Sequence, residues 1–327
     1  MASTQRNPAG VLPLVSVVIP LYNAAADLDG LLHCLALQDY PIDRVEYLLV
    51  DNASRDRTAA LLQAAAQQSH LRLLSQPQIQ SSYAARNVGI QAASGEIIAF
   101  TDADCRPKSN WLSRLVAPFV DRTVGLVAGE VTALPGRTIL EQFADRQAFL
   151  SQRHTLAHSH PYGQTANLAV RRSIFEQIGL FRPYLTTGGD ADFCWRVQQQ
   201  TDWRLTFAPD AIVQHRHRSR LPELRQQWQR YGQSNRYLHE LHGVALAPEL
   251  NALDYLYRCS RWLVKEMPIA LVQQQWTTLL DTPLHLVCVQ ARLHGQQRSQ
   301  LPPKADWIEP FAKPLLTCGT RRSKPPD

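Results

Sequence analysis

The amino-terminal half of this 327-residue chain alternates short β-branched runs with segments of helical period. Residues 15–19 form the first run, which Pro20 stops, and this composition is typical of a buried strand. The next segment places leucines on one helical face, at positions 28, 31, 32 and 35. Strands that alternate with helices of this length predict an α/β fold with a mainly parallel sheet and right-handed crossovers.

The alternation continues through the first two thirds of the chain. Further strands are predicted at residues 45–50, 71–74, 96–101, 124–131, 165–170 and 203–207. Helices are predicted at residues 57–68, 83–93, 111–119, 173–178, 190–200 and 221–241, with more between 248 and 293. Residues 138–162 show no sustained period, and residues 296–327, with several prolines and positive charges, are predicted to be loosely ordered.

Polar residues follow three of the predicted strands. Tyr22 and Asn23 follow the first, Asp51 and Asn52 end the second, and an Asp-Ala-Asp sequence at 102–104 follows a later one. Ligands of open α/β sheets bind beyond the carboxyl ends of the strands. We therefore predict a binding site at this edge of the sheet.

Composition bounds the class of protein. Hydrophobic residues make up 45% and charged residues 19%, which is ordinary for a folded domain and excludes a disordered chain. The net charge of +6 favours an anionic partner such as nucleotide phosphates, a phospholipid surface or nucleic acid. No recognised nucleic-acid-binding module is present, so nucleic acid is not expected.

Cysteine usage and hydropathy bear on the compartment. The six cysteines are scattered without a C-x-x-C pair, so the sequence indicates neither a zinc site nor a disulfide framework. Residues 1–13 contain no apolar run typical of a secretion signal, and no stretch reaches the roughly 20 apolar residues that span a bilayer. We expect a cytoplasmic protein, with contact at the inner face of a membrane left open.

The Asp-Ala-Asp sequence is the sharpest chemical signal. Carboxylates at i and i+2 of an extended segment point to the same side, so Asp102 and Asp104 can face one cation. Mg²⁺ and Mn²⁺ prefer oxygen ligands and often share their shell with substrate phosphates. A polar turn after a strand explains the same residues without a metal, and their geometry alone does not decide between the two.

Several segments, in order and spacing, resemble the signatures of family 2 glycosyltransferases, which have the GT-A fold. The segments are residues 16–23, 50–58, 85–90, 95–100, 102–104, 167–172 and 189–196, so the resemblance covers roughly residues 14–220. Each segment alone is a weak signal, but the ordered set is highly specific. The sequence is therefore identified as a member of this family.

The resemblance implies a metal-dependent transferase that moves a sugar from a nucleoside-diphosphate sugar, with a UDP-sugar favoured, to a hydroxyl acceptor with inversion. The acceptor would be a glycan, a lipid-linked molecule or another hydroxyl compound, and the cofactor Mn²⁺ or Mg²⁺. A catalytic domain is expected over residues 1–220, with a nucleotide-sugar half near 14–131 and an acceptor half near 132–220. Residues 221–327 would form a helical extension. The alternatives are an inactive sugar-nucleotide-binding protein and, less favoured, a sugar nucleotidyltransferase.

The resemblance also assigns roles to donor-site residues. Pro20, Tyr22 and Asp51 would line the pocket for the base and ribose, although Asp51 also suits a helix cap. Arg86 would lie near the nucleotide. Asp102 would contact the ribose or the metal, and Asp104 would bind the metal.

A basic segment after the last predicted strand offers further ligands. The resemblance suggests that His215 completes the metal shell, and Arg218 is a candidate phosphate contact. On an extended chain His217 would face the same side as His215. The alternative is a solvated basic loop.

Asp190 is the candidate catalytic base, because direct transfer to a hydroxyl needs a group that removes the proton of the acceptor. The family carries this Asp in a Gly-Glu-Asp sequence, whereas this chain has Gly189 in place of the Glu. A helix cap is the alternative role for Asp190. Trp195 and Arg196 are candidate contacts to the acceptor or the diphosphate, with packing as the alternative.

The segment 221–241 is basic and carries aromatic residues, among them Trp228 and Tyr231. It suits either a helix that covers the main domain, which we favour, or a helix that lies on a membrane surface. Acceptor specificity is expected to reside in residues 138–162 and in the carboxy-terminal helices.

Overall fold

A computed structural model describes residues 12–67 and 71–312. Eight strands form one sheet: β1 Val15–Leu21, β2 Val45–Asp51, β3 Leu71–Ser75, β4 Ile97–Thr101, β5 Cys105–Pro107, β6 Val124–Ala133, β7 Asn167–Arg171 and β8 Arg204–His215. The first eight helices are α1 Leu28–Ala36, α2 Thr58–Ala66, α3 Ser82–Ala92, α4 Trp111–Val116, α5 Ile139–Arg146, α6 Gln152–Leu156, α7 Arg172–Ile178 and α8 Gly189–Gln200. The last four are α9 Leu221–His242, α10 Ala252–Arg261, α11 Met267–Val272 and α12 Asp281–Arg298.

The sheet has the strand order β3-β2-β1-β4-β7-β6-β8-β5. The first four of these strands pair in parallel, so their carboxyl ends meet at one edge. β7 runs antiparallel to both β4 and β6, while β8 returns parallel to β6. The predicted α/β fold is confirmed, and its second half is a mixed sheet.

The core consists of two apolar layers, one on each face of the sheet. Successive residues of a strand point to opposite faces. Val17 and Ile19 of β1 therefore pack in one layer, with α1 and α4, whereas Val18 packs in the other, with α3, α7 and α8. Burial on both faces explains the continuous apolar run of β1.

β8 is longer than the strand predicted at residues 203–207. The Ala-Pro-Asp sequence at 208–210 resembles a break, but the pairing of β6 with β8 shifts register there and then resumes to His215. A bulge of this kind accommodates extra residues within a continuing strand. The longer strand brings His215 to the predicted binding edge, opposite Cys105 of β5.

α9 covers the main domain, as we favoured. Leu224, Tyr237 and Leu238 on α9 are buried. Gly232 packs against α12 so closely that an added Cβ would lie 1.8 Å from the carbonyl oxygen of Arg292. Only glycine fits such a backbone contact, and α9 and α12 therefore form a tight pair. Among the described residues, no helix has the length and apolar character needed to cross a membrane.

The prediction of a loose tail from residue 296 is wrong as far as residue 312. α12 continues to Arg298, and the chain after it docks on the main domain. Leu180 donates its backbone N–H to the carbonyl of Glu309 at 2.8 Å, and the Asn87 amide donates to the Glu309 carboxylate at 2.8 Å. The ring of Phe311 lies under the Arg172 guanidinium. These contacts outweigh the weak ordering tendency of a proline-containing segment, and residues 313–327 lie outside the described part.

Candidate active site

A cavity of about 600 Å³ opens at the edge where the predicted polar residues meet. Its lining comes from the end of β1 and the segment after it, from the segments that follow β2 and β4, from the start of α3 and the loop before α8, from the end of β8 and the segment after it, and from α9. The lining residues are Pro20, Leu21, Tyr22, Asn23, Ala24, Asp27, Asn52, Gln80, Ser81, Ser82, Arg86, Asp102, Ala103, Asp104, Thr186, His215, Arg218, Arg230 and Gln233. We call this the donor-side cavity, after the predicted donor-site residues that line it. Seven of the predicted site residues are among its lining residues.

Local hydrogen bonds fix the first wall of the donor-side cavity. Asn23 adopts a positive φ of 50°, donates its backbone N–H to Ser54 at 3.0 Å and accepts from the backbone N–H of Arg55 at 2.7 Å. These bonds join the loop after β1 to the loop after β2. Asparagine tolerates the left-handed region better than most residues, which explains its place in this turn.

Of the three residues predicted to contact the nucleobase and ribose, the structure places two in the cavity wall and one outside it. Pro20 and Tyr22 line the donor-side cavity, and Tyr22 is 47% exposed there. Asp51 is half-buried at the end of β2, accepts from the Ser54 N–H at 3.3 Å and is absent from the lining. Asn52 lines the cavity instead. Its position after the second strand was the available signal, but local pattern offers no means of choosing it over Asp51.

Arg86 and Asp102 form an ion pair in the wall of the cavity. The Arg86 side chain is only 3% exposed, its guanidinium lies 5.6 Å from the centre of the Tyr83 ring, and its Nε has no hydrogen-bond partner among the described residues. A buried guanidinium with donor capacity left over favours an anionic ligand. The unpartnered Nε–H of Arg86 is therefore available to an anionic ligand beside the Asp-Ala-Asp sequence, while Asp102 balances the charge of the guanidinium.

Asp104 is paired with His215, whose Nε2 lies 3.3 Å from the Asp104 carboxylate. Arg218 lies 3.8 Å from the other carboxylate oxygen. Burial favours a raised pKa for Asp104, but His215 and Arg218 outweigh it and lower that pKa to about 2. Asp104 is thus an anion throughout the neutral range, as a cation ligand must be.

Asp104, Cys105 and His215 could hold a metal ion together, because one ligand atom of each lies within 4.8 Å of the others. Burial raises the pKa of the Cys105 thiol well above its usual range, which disfavours the thiolate that a metal would bind. The Asp104 carboxylate is a hard donor of the kind that Mn²⁺ and Mg²⁺ prefer, and the His215 imidazole is a borderline donor. The donor set therefore fits such an ion, and His217 lies outside this group.

A second cavity of about 290 Å³ adjoins the first. Consecutive residues of four segments divide between the two: 82 and 83, 186 and 187, 230 and 231, and 233 and 234. The second lining is Tyr83, Phe149, His154, Thr155, His158, Tyr162, Gln164, Thr187, Gly188, Asp190, Ala191, Trp228, Tyr231, Ser234, Asn235 and Arg292. We call this the acceptor-side cavity, after the segments in which acceptor specificity is expected. Much of it comes from the segment without sequence periodicity and from the carboxy-terminal helices.

Asp190 lies in the first turn of α8, at the wall of the acceptor-side cavity. Gly188 precedes the helix with a φ of 76°, a conformation that favours glycine. The Asp190 carboxylate accepts from the Tyr83 hydroxyl at 3.3 Å and from the Ala191 N–H at 3.1 Å. Burial raises the pKa of Asp190, and Arg86 partly offsets this. A carboxylate with a raised pKa is a better proton acceptor than an exposed one.

The departure of Gly189 from the family pattern has a packing explanation. An added Cβ at Gly189 would lie 2.8 Å from two carbons of the Tyr83 ring, closer than unbonded carbons approach. Tyr83 is buried and packs against Phe181, so the ring cannot easily withdraw. The Tyr83 ring thus occupies the space beside residue 189, and its hydroxyl orients Asp190.

Trp195 and Arg196 do not line either cavity. The Trp195 indole donates to the His160 carbonyl at 3.1 Å. Arg196 is 3% exposed, and its guanidinium donates to Asp192 at 3.1 Å and to two backbone carbonyls. Asp192 is fully buried and also binds Arg182 at 2.8 Å and His242 at 2.9 Å. The geometry favours the packing alternative for both residues, because their side of α8 faces the core.

The model of the family described as "Glycosyl transferase family 2" matches residues 16–179. The chain belongs to this family. The predicted family is thereby confirmed, together with the broad class of glycosyltransferase. The matched region contains most donor-side residues and ends before Asp190.

Two relatives and one solved structure show how far the similarity extends. Glycosyltransferase AglE of Haloferax volcanii is 37% identical over 62% of this chain and 67% of its own length. A pre-mycofactocin glycosyltransferase of Mycobacterium tuberculosis is 30% identical over 72% of this chain, which spans about half (49%) of that relative. A mannosyltransferase of Pyrobaculum calidifontis, solved with GDP-mannose and Mn²⁺, superposes with a TM-score of 0.62 at 23% identity, covering 88% of this chain and 87% of its own. This similarity supports the GT-A fold.

Proposed function

We propose that this chain transfers a sugar from a nucleoside-diphosphate sugar to a hydroxyl acceptor, with inversion, across its two adjoining cavities. One observation carries the proposal. A carboxylate of raised pKa, Asp190, lines a cavity that borders a larger one containing Asp102, Asp104 and a cluster of cationic side chains. A direct displacement needs this combination of an anion site for the leaving group and a base for the attacking hydroxyl.

The donor-side cavity would hold the nucleotide and its diphosphate. Pro20, Tyr22 and Asn52 would border the base and ribose. Arg86 and Arg218 would contact the phosphates, because guanidinium groups bind phosphate oxygens with two parallel hydrogen bonds. Arg230 of α9 lines the same cavity, although it lies outside the nucleotide-sugar half predicted at residues 14–131. Basic side chains from the nucleotide-sugar half and from the carboxy-terminal extension therefore line the same cavity.

Asp104 and His215 would hold a divalent cation, with Asp102 nearby as a further oxygen ligand. When bound, Mn²⁺ or Mg²⁺ would neutralise the charge that develops on the departing diphosphate. Arg218 approaches Asp104 from the other side and would add positive charge at the same place. These chain residues thus orient the leaving group and hold it in one position.

Asp190 would take the proton of the acceptor hydroxyl as that oxygen attacks the sugar. Burial raises the pKa of the Tyr83 hydroxyl, so this group remains a donor and holds the Asp190 carboxylate in one orientation. No covalent intermediate is needed, because attack and departure take place on opposite faces of the sugar carbon. A single displacement of this kind inverts that carbon.

The acceptor-side cavity has a chemical character of its own. Tyr162, Trp228 and Tyr231 supply aromatic surface on which sugar rings can pack. Arg292 donates to the Asn235 side chain at 3.1 Å, forms no ion pair with a described residue, and its pKa is lowered by burial. A half-buried cation without a counter-ion is costly, so an anionic group on the acceptor would stabilise it. We therefore propose an acceptor with a phosphate or carboxylate near its reacting hydroxyl.

The alternative of an inactive binding protein rested on the missing Glu before Asp190. The contact between Gly189 and the Tyr83 ring accounts for that absence without loss of the base. The sugar nucleotidyltransferase alternative would require a glycine-rich phosphate loop after β1, and the residues there are Pro20, Leu21, Tyr22 and Asn23. For these reasons we favour the transferase over both alternatives.

The decisive experiment is a screen of UDP- and GDP-sugars for hydrolysis with Mn²⁺, with Mg²⁺ and with a chelator. We expect slow release of nucleotide from one donor, dependent on the metal. Asp104→Asn should lose both release and binding of the nucleoside diphosphate in isothermal titration. Absence of binding and of release for every donor would refute the proposal, while binding without release would leave the inactive binding protein as the better account.

A further inference from the structure

The surface formed by residues 252–280 is unusually apolar. Of the eighteen large hydrophobic side chains that are exposed in the described part of the chain, ten lie in this segment. They are Leu253, Leu256, Tyr257, Leu263, Val264, Ile269, Leu271, Val272, Trp276 and Leu280. Val272 is 85% exposed and Val264 is 80% exposed. Isolated exposed apolar residues are ordinary, but a concentration of this kind marks an interaction surface.

The exposed residues form a stripe along one helical rod. α10, a π-helical turn at Trp262–Glu266 and α11 follow one another without a break and extend roughly 30 Å at the usual rise per residue. Leu253, Leu256 and Tyr257 recur at i, i+3 and i+4, and Leu263 and Val264 continue the same spacing. In a surface helix of a globular protein this stripe faces the core. Here it faces solvent.

The charges beside the stripe are predominantly positive. Arg258 and Lys265 form no ion pair with a described residue. Arg261 binds Glu266 at 2.7 Å, and Asp254 completes a capping box with Asn251, so both acidic groups of the rod have partners. The rod therefore presents apolar side chains flanked by unpaired cations. This is the charge pattern of a helix that lies on an anionic lipid surface.

The other side of the rod is held to the body of the protein. The Thr282 hydroxyl of α12 donates to the Glu266 carboxylate, Ala270 is buried, and the Trp262 indole donates to the Leu279 carbonyl at 2.8 Å within the segment. The Gln275 N–H donates to the Ala270 carbonyl at 2.8 Å, which closes the chain after α11. These contacts fix which face points outward, and that face carries the exposed stripe.

We propose that the surface of residues 252–280 binds the headgroup region of an anionic lipid bilayer, with α10 and α11 lying in the plane of the membrane. Tyr257 and Trp276, 64% and 61% exposed, have the amphipathic rings that favour this depth. Val264 and Val272 enter the acyl boundary, and Arg258 and Lys265 contact phosphates. This surface replaces the membrane-surface alternative considered for residues 221–241, whose apolar side packs on the main domain.

The test is sedimentation with vesicles, using wild type, the double variant Val264→Glu/Val272→Glu, and Val120→Glu as a matched control. Val120 is 89% exposed on a different part of the molecule, so its substitution changes charge and hydropathy in the same direction but outside the proposed surface. All three proteins should have the same thermal midpoint, because substitutions at exposed sites have small effects on stability. Wild type and Val120→Glu should bind vesicles rich in phosphatidylglycerol, and the double variant should bind at least about tenfold more weakly.

The charge contribution is measured with Arg258→Gln/Lys265→Gln. This variant should lose affinity for the anionic vesicles and bind neutral phosphatidylcholine vesicles as the wild type does. Failure of the wild type to bind anionic vesicles at low salt would overturn the proposal. So would equal binding by wild type and Val264→Glu/Val272→Glu. Light scattering tests whether a second copy of the chain occupies this surface. If the wild type is a dimer that Val264→Glu/Val272→Glu dissociates, and if the wild type does not bind vesicles, the surface is assigned to a second copy of the chain.

Discussion

Substitution of Gly189 tests how the structure orients the proposed base. In Gly189→Ala the new methyl would lie 2.8 Å from two carbons of the Tyr83 ring, whereas carbon atoms prefer about 3.5 to 4.0 Å. The Tyr83 ring cannot move aside to relieve this overlap, because it is buried against Phe181. Overpacking of this kind costs about 1 to 3 kcal/mol of stability. Urea unfolding of Gly189→Ala and wild type measures this loss.

The same displacement should lower turnover. The Tyr83 hydroxyl is 3.3 Å from Asp190, near the long limit for a hydrogen bond, so movement of the ring away from Asp190 breaks it. A bond to a charged group contributes about 1.5 to 3 kcal/mol, and for this long bond we take the lower value, which corresponds to about a tenfold loss of kcat. Tyr83→Phe keeps the ring and removes the hydroxyl, so it should lose turnover with little loss of stability. Wild-type stability together with wild-type kcat in Gly189→Ala would refute the packing argument.

Three further predictions concern carboxylates. Asp190→Asn should bind nucleoside diphosphate normally in isothermal titration and lose kcat by about 10²- to 10⁴-fold, and near-normal turnover of this variant would remove Asp190 from the role of base. In the wild type, kcat should fall as the pH drops through the raised pKa of Asp190, which is a higher pH than an ordinary aspartate would give. Asp104→Asn should weaken Mn²⁺ binding, followed by electron paramagnetic resonance, at least about tenfold; unchanged Mn²⁺ affinity would place the metal elsewhere. Asp192→Asn should destabilise the fold by about 3 to 5 kcal/mol in urea, because Arg196 and its neighbours lose a buried counter-ion. Burial opposes the lowered pKa of Asp192, but His242, Arg196 and Arg182 prevail, so its stabilisation is present above the ordinary aspartate pKa and is lost as pH falls through the lowered value. A change below about 1 kcal/mol would contradict the structural role of this cluster.

The sequence by itself determined the order of elements and the edge at which the donor-side cavity forms. The apolar run of β1 and its stop at Pro20 predict a buried strand, since only such runs satisfy burial on both faces of a sheet. The carboxyl ends of parallel strands meet at one edge, so the order of strands and polar residues along the chain is enough to place Tyr22, Asp102 and Asp104 together. Local pattern and general topology suffice for these inferences.

The tertiary structure decided which residues face the cavities. Asp51 and Asn52 are neighbours at the end of β2, but only Asn52 lines the donor-side cavity, because side-chain direction depends on the loop bonds that follow the strand. Trp195 and Arg196 lie on the core side of α8, which no local signal distinguishes from the cavity side. Tyr83 is far from Gly189 in sequence, so the reason for a glycine before Asp190 became visible only in the packing of α3 against α8.

The carboxy-terminal region shows the same division. Hydrophobic period predicted helices there, but which side of each helix is buried depends on what packs against it. α9 turns its apolar residues to the main domain and closes on α12 through Gly232, whereas α10 and α11 leave theirs in solvent. Sequence determines that a helix has an apolar face, because that follows from local spacing. Only the tertiary structure determines whether the protein itself covers that face.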